Sequence, residues 1–285
     1  EAGTGNSSTT YVTSATDYKF TELSPANGYK FSVTASNAKG TSSPEKDSFR
    51  KAVIGLGNDA PGALTTGLDG SIWVSDSFTV NEQGDEAIPS TIQQIVRDNG
   101  VWTAQAPIGG GGKPNALTTG HDGSIWVANG SSNTVQQIVN DNGVWTAQAP
   151  IGVGENPGAL TTGLDGSIWV ANFNNKLAAP ATTLKGIFAK KGTVQQIVKN
   201  NNTGVWTAQA AIGVGVYPVA LTTGLDGSIW VANRKSNTVQ QIVKNNHGVW
   251  AAQAVIGVGN NPGALTTGLD GSIWVSDWNS GTVQQ

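Results

Sequence analysis

The sequence predicts an all-β fold: a β-propeller of about five four-stranded blades, preceded by a short, separate β-rich segment. Three observations support this. First, the cassette Ala159-Leu160-Thr161-Thr162-Gly163-Leu164-Asp165-Gly166-Ser167-Ile168-Trp169-Val170-Ala171-Asn172 recurs almost unchanged from Ala63, Ala116, Ala159, Ala220 and Ala264. Second, the units phase on Pro61, Pro114, Pro157, Pro218 and Pro262, with shorter spacings of 43 and 44 residues and longer ones of 53 and 61. A period near 40–45 residues with several strands per unit marks propeller blades. Third, 285 residues exceed what one ordinary compact core holds, so an array or barrel is needed.

The first fifty residues read as strands and turns. Tyr18-Lys19-Phe20-Thr21-Glu22-Leu23 alternates apolar and polar residues. Ser24-Pro25-Ala26-Asn27-Gly28 is a turn cluster. Tyr29 to Asn37 is a second strand, ended by Ala38-Lys39-Gly40. The pattern Leu23-x-Pro25-x-x-x-Tyr29, then Phe31-x-Val33-x-Ala35-x-Asn37-x-x-Gly40, resembles the second half of a fibronectin type III domain. The resemblance implies that Tyr29 sits at a corner and bonds back to upstream backbone. A whole domain of that kind needs about 100 residues, and no Trp precedes Trp73. Residues 1–50 are therefore expected to form an incomplete fibronectin type III-like β-sandwich segment, and residues 51–285 the propeller.

Each repeat divides into four strands. Strand A is Ala-Leu-Thr-Thr, as in Ala116 to Thr119. The Asp165-Gly166 turn follows, where Gly accepts positive φ at little cost. Strand B, Ser-Ile-Trp-Val, has the β-branched and aromatic residues of a half-buried sheet. Strand C runs from Thr134 to Val139, and Asn142-Gly143 turns into strand D, Val144 to Ala149. Ile151 to Pro157 crosses to the next blade. A lone sheet cannot cover both its faces, and radial stacking solves this. The two Trp of a repeat, such as Trp126 and Trp145, supply bulk between blades, about 2–3 kcal/mol per buried ring.

The last copy stops within strand C at Gln285, while Ala52-Val53-Ile54-Gly55-Leu56-Gly57 matches Ala254-Val255-Ile256-Gly257-Val258-Gly259. Two outcomes stand open. The amino-terminal segment completes the last blade and closes a ring of five, or the blades belong to a larger ring of six to eight.

Composition limits the partners. A net charge of −3 without a basic block argues against nucleic acid or an anionic membrane. Only 12% of residues are charged, and the polar, nearly neutral surface suits glycans, or simply a turn-rich β protein. With no Cys there is neither a disulfide framework nor a thiolate metal site. The chain has no Met, no signal peptide and no transmembrane run. It reads as an excerpt or processed product, expected to be monomeric.

Insertions fall in the links between strands B and C, at residues 77–90 and 173–192. That rim also gathers the Gly-rich crossings and the strand-B termini Asp76, Asn129, Asn172, Asn233 and Asp277. Loops on a rigid scaffold are the usual home of binding residues. The candidate binding residues are these five, with Trp278, which lies outside the regular Trp positions, and Glu82 and Lys185 from the acidic and basic insertions.

Leu-Thr-Thr-Gly-x-Asp-Gly-Ser-Ile-Trp-Val-Ala-Asn followed by Asn-Thr-Val-Gln-Gln-Ile resembles the repeat of streptogramin (virginiamycin B) lyase-like propellers and is similar to the NHL repeat. The resemblance implies a propeller over residues 52–285. Such lyases use a metal-supported site with a catalytic histidine. Here the only histidines are His121, in an A–B turn, and His247, in a C–D turn, and no recurring His–carboxylate pair orients a general base. Asp69, Asp122, Asp165, Asp226 and Asp270 recur in Asp-Gly turns without the further oxygens calcium needs. Gly109 to Lys113 lacks the Lys-Ser/Thr ending of a P-loop.

The function expected is a non-catalytic recognition or scaffold module, binding a glycan, peptide or protein on the B–C loop face. The joined fibronectin-like segment implies an extracellular or cell-surface bacterial setting. No cofactor is expected. The alternative is a lyase or hydrolase with a Mg²⁺-assisted site on one face.

Overall fold

The computed structural model describes residues 54–56, 61–76, 90–174 and 190–285, with the strand backbone alone at 32–33, 36–37, 40–41, 45–46, 79–80 and 86–88. Among these residues no helix is long and apolar enough to cross a membrane. The chain divides into two units, residues 1–52 and 53–285. In the first, β1 (Ser32–Val33), β2 (Ser36–Asn37), β3 (Gly40–Thr41) and β4 (Glu45–Lys46) form two antiparallel ladders, β1 with β4 and β2 with β3. β1 and β2 both fall within the strand expected from Tyr29 to Asn37, whose other residues lie outside the described ones. Tyr18 to Leu23, Tyr29 and most of the fibronectin-like pattern lie outside the described residues.

Among its described residues the second unit is all β and carries five antiparallel blade sheets and one separate two-stranded ladder. The first contains β5 (Pro61–Thr66), β6 (Ile72–Asp76), a small hairpin of β7 (Thr79–Val80) and β8 (Glu86–Ile88) in the link, then β9 (Thr91–Asp98), β10 (Val101–Ala104) and β11 (Ile108–Gly109). The second contains β12 (Pro114–Thr119), β13 (Ile125–Asn129), β14 (Thr134–Asp141), β15 (Val144–Ala147) and β16 (Ile151–Gly152). The third contains β17 (Pro157–Thr162), β18 (Ile168–Asn172), β19 (Lys191–Lys199), β20 (Trp206–Ala208) and β21 (Ile212–Val216). The fourth contains β22 (Pro218–Thr223), β23 (Ile229–Asn233), β24 (Thr238–Lys244), β25 (Trp250–Ala252) and β26 (Ile256–Gly257). The fifth has three strands: β27 (Pro262–Thr267), β28 (Ile273–Asp277) and β29 (Thr282–Gln284). This is the expected propeller of five up-and-down blades.

The fourth strand differs from the reading in one detail. It breaks after Ala147 and resumes at Ile151, so both pieces pair with β14. The break exposes a backbone carbonyl, and a strand-C glutamine covers it. Gln136 Nε2 donates to Gln148 O at 2.8 Å, and Gln93, Gln195 and Gln240 do the same to Gln105, Gln209 and Gln253.

Neighbouring sheets are held at two radii. Near the axis the paired threonines of successive inner strands meet: Thr65 with Thr119, Thr118 with Thr162, Thr161 with Thr223, and Thr222 with Thr267, at 3.0–3.2 Å. Thr162 Oγ1 also donates to Thr119 O at 2.9 Å. Farther out, the strand-B tryptophan of one sheet meets the strand-D tryptophan of the next edge to face. Trp73–Trp145, Trp126–Trp206 and Trp169–Trp250 have centroids 4.6, 4.7 and 4.8 Å apart. This T-shaped geometry matches positive ring edges to negative faces. The tryptophans therefore lie between blades, as predicted.

Among the described residues, consecutive inner strands pack extensively on one another, and β5 and β27 do not pack in this way. Ile54 to Leu56 is not in a strand, and among the described residues β29 pairs with β28 alone. The described part of the segment therefore does not form the closing clasp that the sequence match suggests; the rest of it lies outside the described residues. The matching segment corresponds to the two-residue β26, not to the longer β25. So short a ladder offsets little of the entropy of joining chain ends across the whole array.

Candidate functional site

Call the upper rim the edge where inner strands begin and strand B ends. There the repeats, copied closely elsewhere, diverge. In the second to fifth sheets the residue before the inner-strand proline is Lys113, Asn156, Tyr217 or Asn261, all with φ between 46° and 65°. The residue after strand B in these sheets is Gly130, Phe173, Arg234 or Trp278. Backbone bonds tie these pairs together: Gly130 N to Lys113 O, Phe173 N to Asn156 O, Arg234 N to Tyr217 O and Trp278 N to Asn261 O, at 2.9–3.2 Å.

Volume is exchanged between this position and the second residue of the inner strand. Where that residue is Gly158 or Gly263, the ring of Phe173 or Trp278 lies over it, so close that a Cβ there would collide with the ring. Where it is Asn115, the later position is Gly130, whose own Cβ would strike the Asn115 amide. Asn115 instead donates to Pro157 O at 3.0 Å.

The result is a line of four side chains across three blades. Phe173 and Tyr217 stack with centroids 4.6 Å apart and an interplanar angle of 18°. Tyr217 is joined by its backbone to Arg234, whose guanidinium lies 4.9 Å from the Trp278 ring centroid. Trp278 is 67% exposed. Arg234 Nε is buried and has no hydrogen-bond partner, and Arg234 forms no ion pair with a described carboxylate. On the neighbouring blade, Lys190 and Glu155 pair at 3.2 Å. Tyr217 is a bulky residue in the left-handed region, where Asn is better tolerated.

The other candidates are placed differently. Asp76, Asn129, Asn172, Asn233 and Asp277 do not stand on the rim surface; all five are buried. They pack under the crossing glycines: added Cβ atoms on Gly154, Gly215 and Gly259 would lie within 3 Å of Asn172, Asn233 and Asp277. Asn172 Nδ2 donates to Thr193 and Gln195, and Asn233 Nδ2 to Thr238 and Gln240. Gly154 N and Gly215 N donate to the same glutamines. The strand-B termini thus anchor the crossings on which the exposed residues sit. Glu82 and Lys185 lie outside the described residues. Phe173, Tyr217 and Arg234 were not among the sequence candidates. Their signal was available: the position after strand B reads Ser77, Gly130, Phe173, Arg234 and Trp278, no two alike, directly beside a copied cassette.

The lower rim holds the Asp-Gly turns. Asp165 Oδ1 accepts from Ser167 N, Ser167 Oγ accepts from Trp169 Nε1, and Gln196 Nε2 reaches both Asp165 and Ser167. The same knot recurs at Asp122. These carboxylates therefore fasten turns. Hydrogen bonds from Ser228 and Ser272 hold the Asp226 and Asp270 carboxyls below the ordinary carboxylate value. His121 and His247 are both on this lower rim, away from the line of rings. Among the described residues no group of three or more His, Asp or Glu side chains is arranged to hold a metal ion. The Mg²⁺ site of the lyase alternative therefore finds no matching donor set in them.

No family model matches the chain, and no curated protein matches it. Solved structures do. A Bacteroides uniformis protein provisionally named a 6-phosphogluconolactonase is similar over 80% of this chain and 65% of its own length, at 18% identity and a TM-score of 0.54. The periplasmic gluconolactonase of Pseudomonas aeruginosa is similar over 79% and 70%, at 17% identity and 0.55. Virginiamycin B lyase from Staphylococcus aureus is similar over 79% and 83%, at 17% identity and 0.50. The chain thus spans about two thirds of the first two. At these identities the likeness establishes a shared fold, one found in propeller enzymes.

Proposed function

We propose that this chain is a ligand-recognising propeller whose working surface is the upper rim around Phe173, Tyr217, Arg234 and Trp278. The observation that carries this reading is where the repeats differ. Strands, turns and inter-blade tryptophans are copied from blade to blade, while the upper-rim positions change to rings and a guanidinium that assemble into one continuous line. A scaffold that holds its frame constant and varies one edge suits recognition. The ligand class that fits is a ring-bearing polar molecule, such as a glycan or a peptide with aromatic groups, met outside the cell or at its surface.

A glycan and peptide array, probed with the wild-type chain and with Phe173→Ala and Trp278→Ala variants, tests this. Binding lost in both variants, with folding intact by near-UV circular dichroism, is the expected result. Ligands that bind all three proteins equally would place the working surface elsewhere.

A second reading, ring opening or elimination on a lactone or cyclic ester at the same rim, is supported by the named activities of the similar structures. Both histidines lie on the opposite rim, so any chemistry here would draw on other side chains. Turnover of gluconolactone and of a streptogramin B ester separates the readings: binding without turnover leaves recognition alone.

A further inference from the structure

We propose that the Arg234–Trp278 corner of the upper rim binds a carboxylate-bearing sugar ring, so that the ligand is an acidic glycan. This rests on the recognition reading above and names its ligand. The indole of Trp278 lies against Gly263, where the missing side chain makes room for the ring, and most of it remains open to solvent. An exposed indole suits the C–H face of a pyranose. Two shallow crevices lie at the lower rim, between Asp69 and Asp122 and between Asp165 and Asp226.

The acid follows from Arg234. Its guanidinium carbon lies 4.9 Å from the Trp278 ring centroid, beside the surface offered to the sugar. Nε is buried without a hydrogen-bond partner, so a carboxylate would be met by the terminal Nη groups. No described carboxylate competes for them, and the nearby acid Glu155 is already paired with Lys190. A guanidinium takes a carboxylate in a two-pronged bond. The Phe173–Tyr217 stack lies next along the rim, joined to Arg234 through the backbone of Tyr217.

The test uses glucuronate-terminated oligosaccharides and their glucose-terminated counterparts, titrated by calorimetry against the whole chain. The acidic series should bind about tenfold more tightly than the neutral one, and the difference should shrink as salt is raised. Arg234→Gln should abolish the preference between the two series, whereas Trp278→Ala should weaken both. Equal affinity for both series, or a preference unchanged in Arg234→Gln, overturns the proposal. If aromatic peptides bind at this rim and neither sugar series does, the acidic-glycan assignment fails while the recognition reading survives. If no array ligand depends on Phe173 or Trp278, both fail.

Discussion

At Ser167 one hydroxyl lies within hydrogen-bond reach of Asp165 and accepts from the indole of Trp169 and the amide of Gln196. Ser167, Trp169 and Gln196 are all buried, so removing the hydroxyl strands two donors. Ser167→Ala is expected to lower stability by about 1–3 kcal/mol, read as a shift in the urea midpoint at unchanged slope. An unchanged midpoint would mean that water replaces the serine. The Asp226 carboxyl in the equivalent turn titrates below 3.8 because Ser228 donates to it. The folded state therefore holds that proton less readily than the unfolded one. The resulting stability is present above the ordinary value and is lost as pH falls through the depressed one. Asp226 is largely open to water, so the effect is small, and Asp226→Asn should flatten the acid limb of the stability curve below pH 3.8. At the upper rim, Tyr217→Asn and Tyr217→Ala both delete the ring stacked on Phe173. Asn suits the positive φ of 61°, so the Asn variant should be the more stable by about 0.5–1 kcal/mol in the same denaturation assay.

Between elements, the strand-B tryptophan is the largest group passed from one sheet to the next. Trp169 is 1% exposed and meets Trp250 edge to face, whereas Trp274, at the same place in the fifth sheet, is 38% exposed. Trp169→Ala is expected to cost about 3–5 kcal/mol, and Trp274→Ala clearly less, because its outer face has no sheet against it. A double-mutant cycle on Trp169 and Trp250 should return about 0.5–1.5 kcal/mol for the ring pair. The elements were legible in the sequence for the same reason that the cycle is informative. The Asp-Gly turn, the Ile-Trp-Val strand and the repeat period are local signals, and five copies make them unmistakable. Less legible was anything that depends on a partner far along the chain. The doubled Gln195-Gln196 reads as two polar residues in a strand. In space one secures the crossing at Asn172 and Gly154, and the other the turn at Asp165. The strand-B termini suffered the same fate: Asn172 looks like a rim residue until the crossing glycines are seen to cover it. The site residues Phe173 and Arg234 were hidden because a comparison by similarity favours what is copied, and these are what is not.

In the whole molecule, stability is distributed along a one-dimensional stack. Each sheet borrows its cover from its neighbours, through the threonine contacts near the axis and the tryptophan pairs outside them. In such an array, total stability is close to a sum of sheet terms and neighbour terms. The third sheet has a neighbour on each side, and its strand β18 is buried along its whole length. The fifth sheet has one neighbour and only three strands. Its Val283 is 66% exposed, where Val135, at the same place in the second sheet, is fully buried. Local opening should therefore begin at β28 and β29 and move inward, because opening there breaks one interface and opening the third sheet breaks two. Native-state hydrogen exchange tests this directly. Amides of β18 should exchange more slowly than those of β28 by at least about tenfold, with β23 between them. Ligand binding at the Arg234–Trp278 corner joins the fourth sheet to the fifth. It should then raise protection in β28 more than in β18, since it adds a bond across the weakest interface. Uniform protection over all five sheets would show a single cooperative unit and end the stacked description. Protection graded along the array, with no response to a bound ligand, would keep the stack and move the site away from this corner.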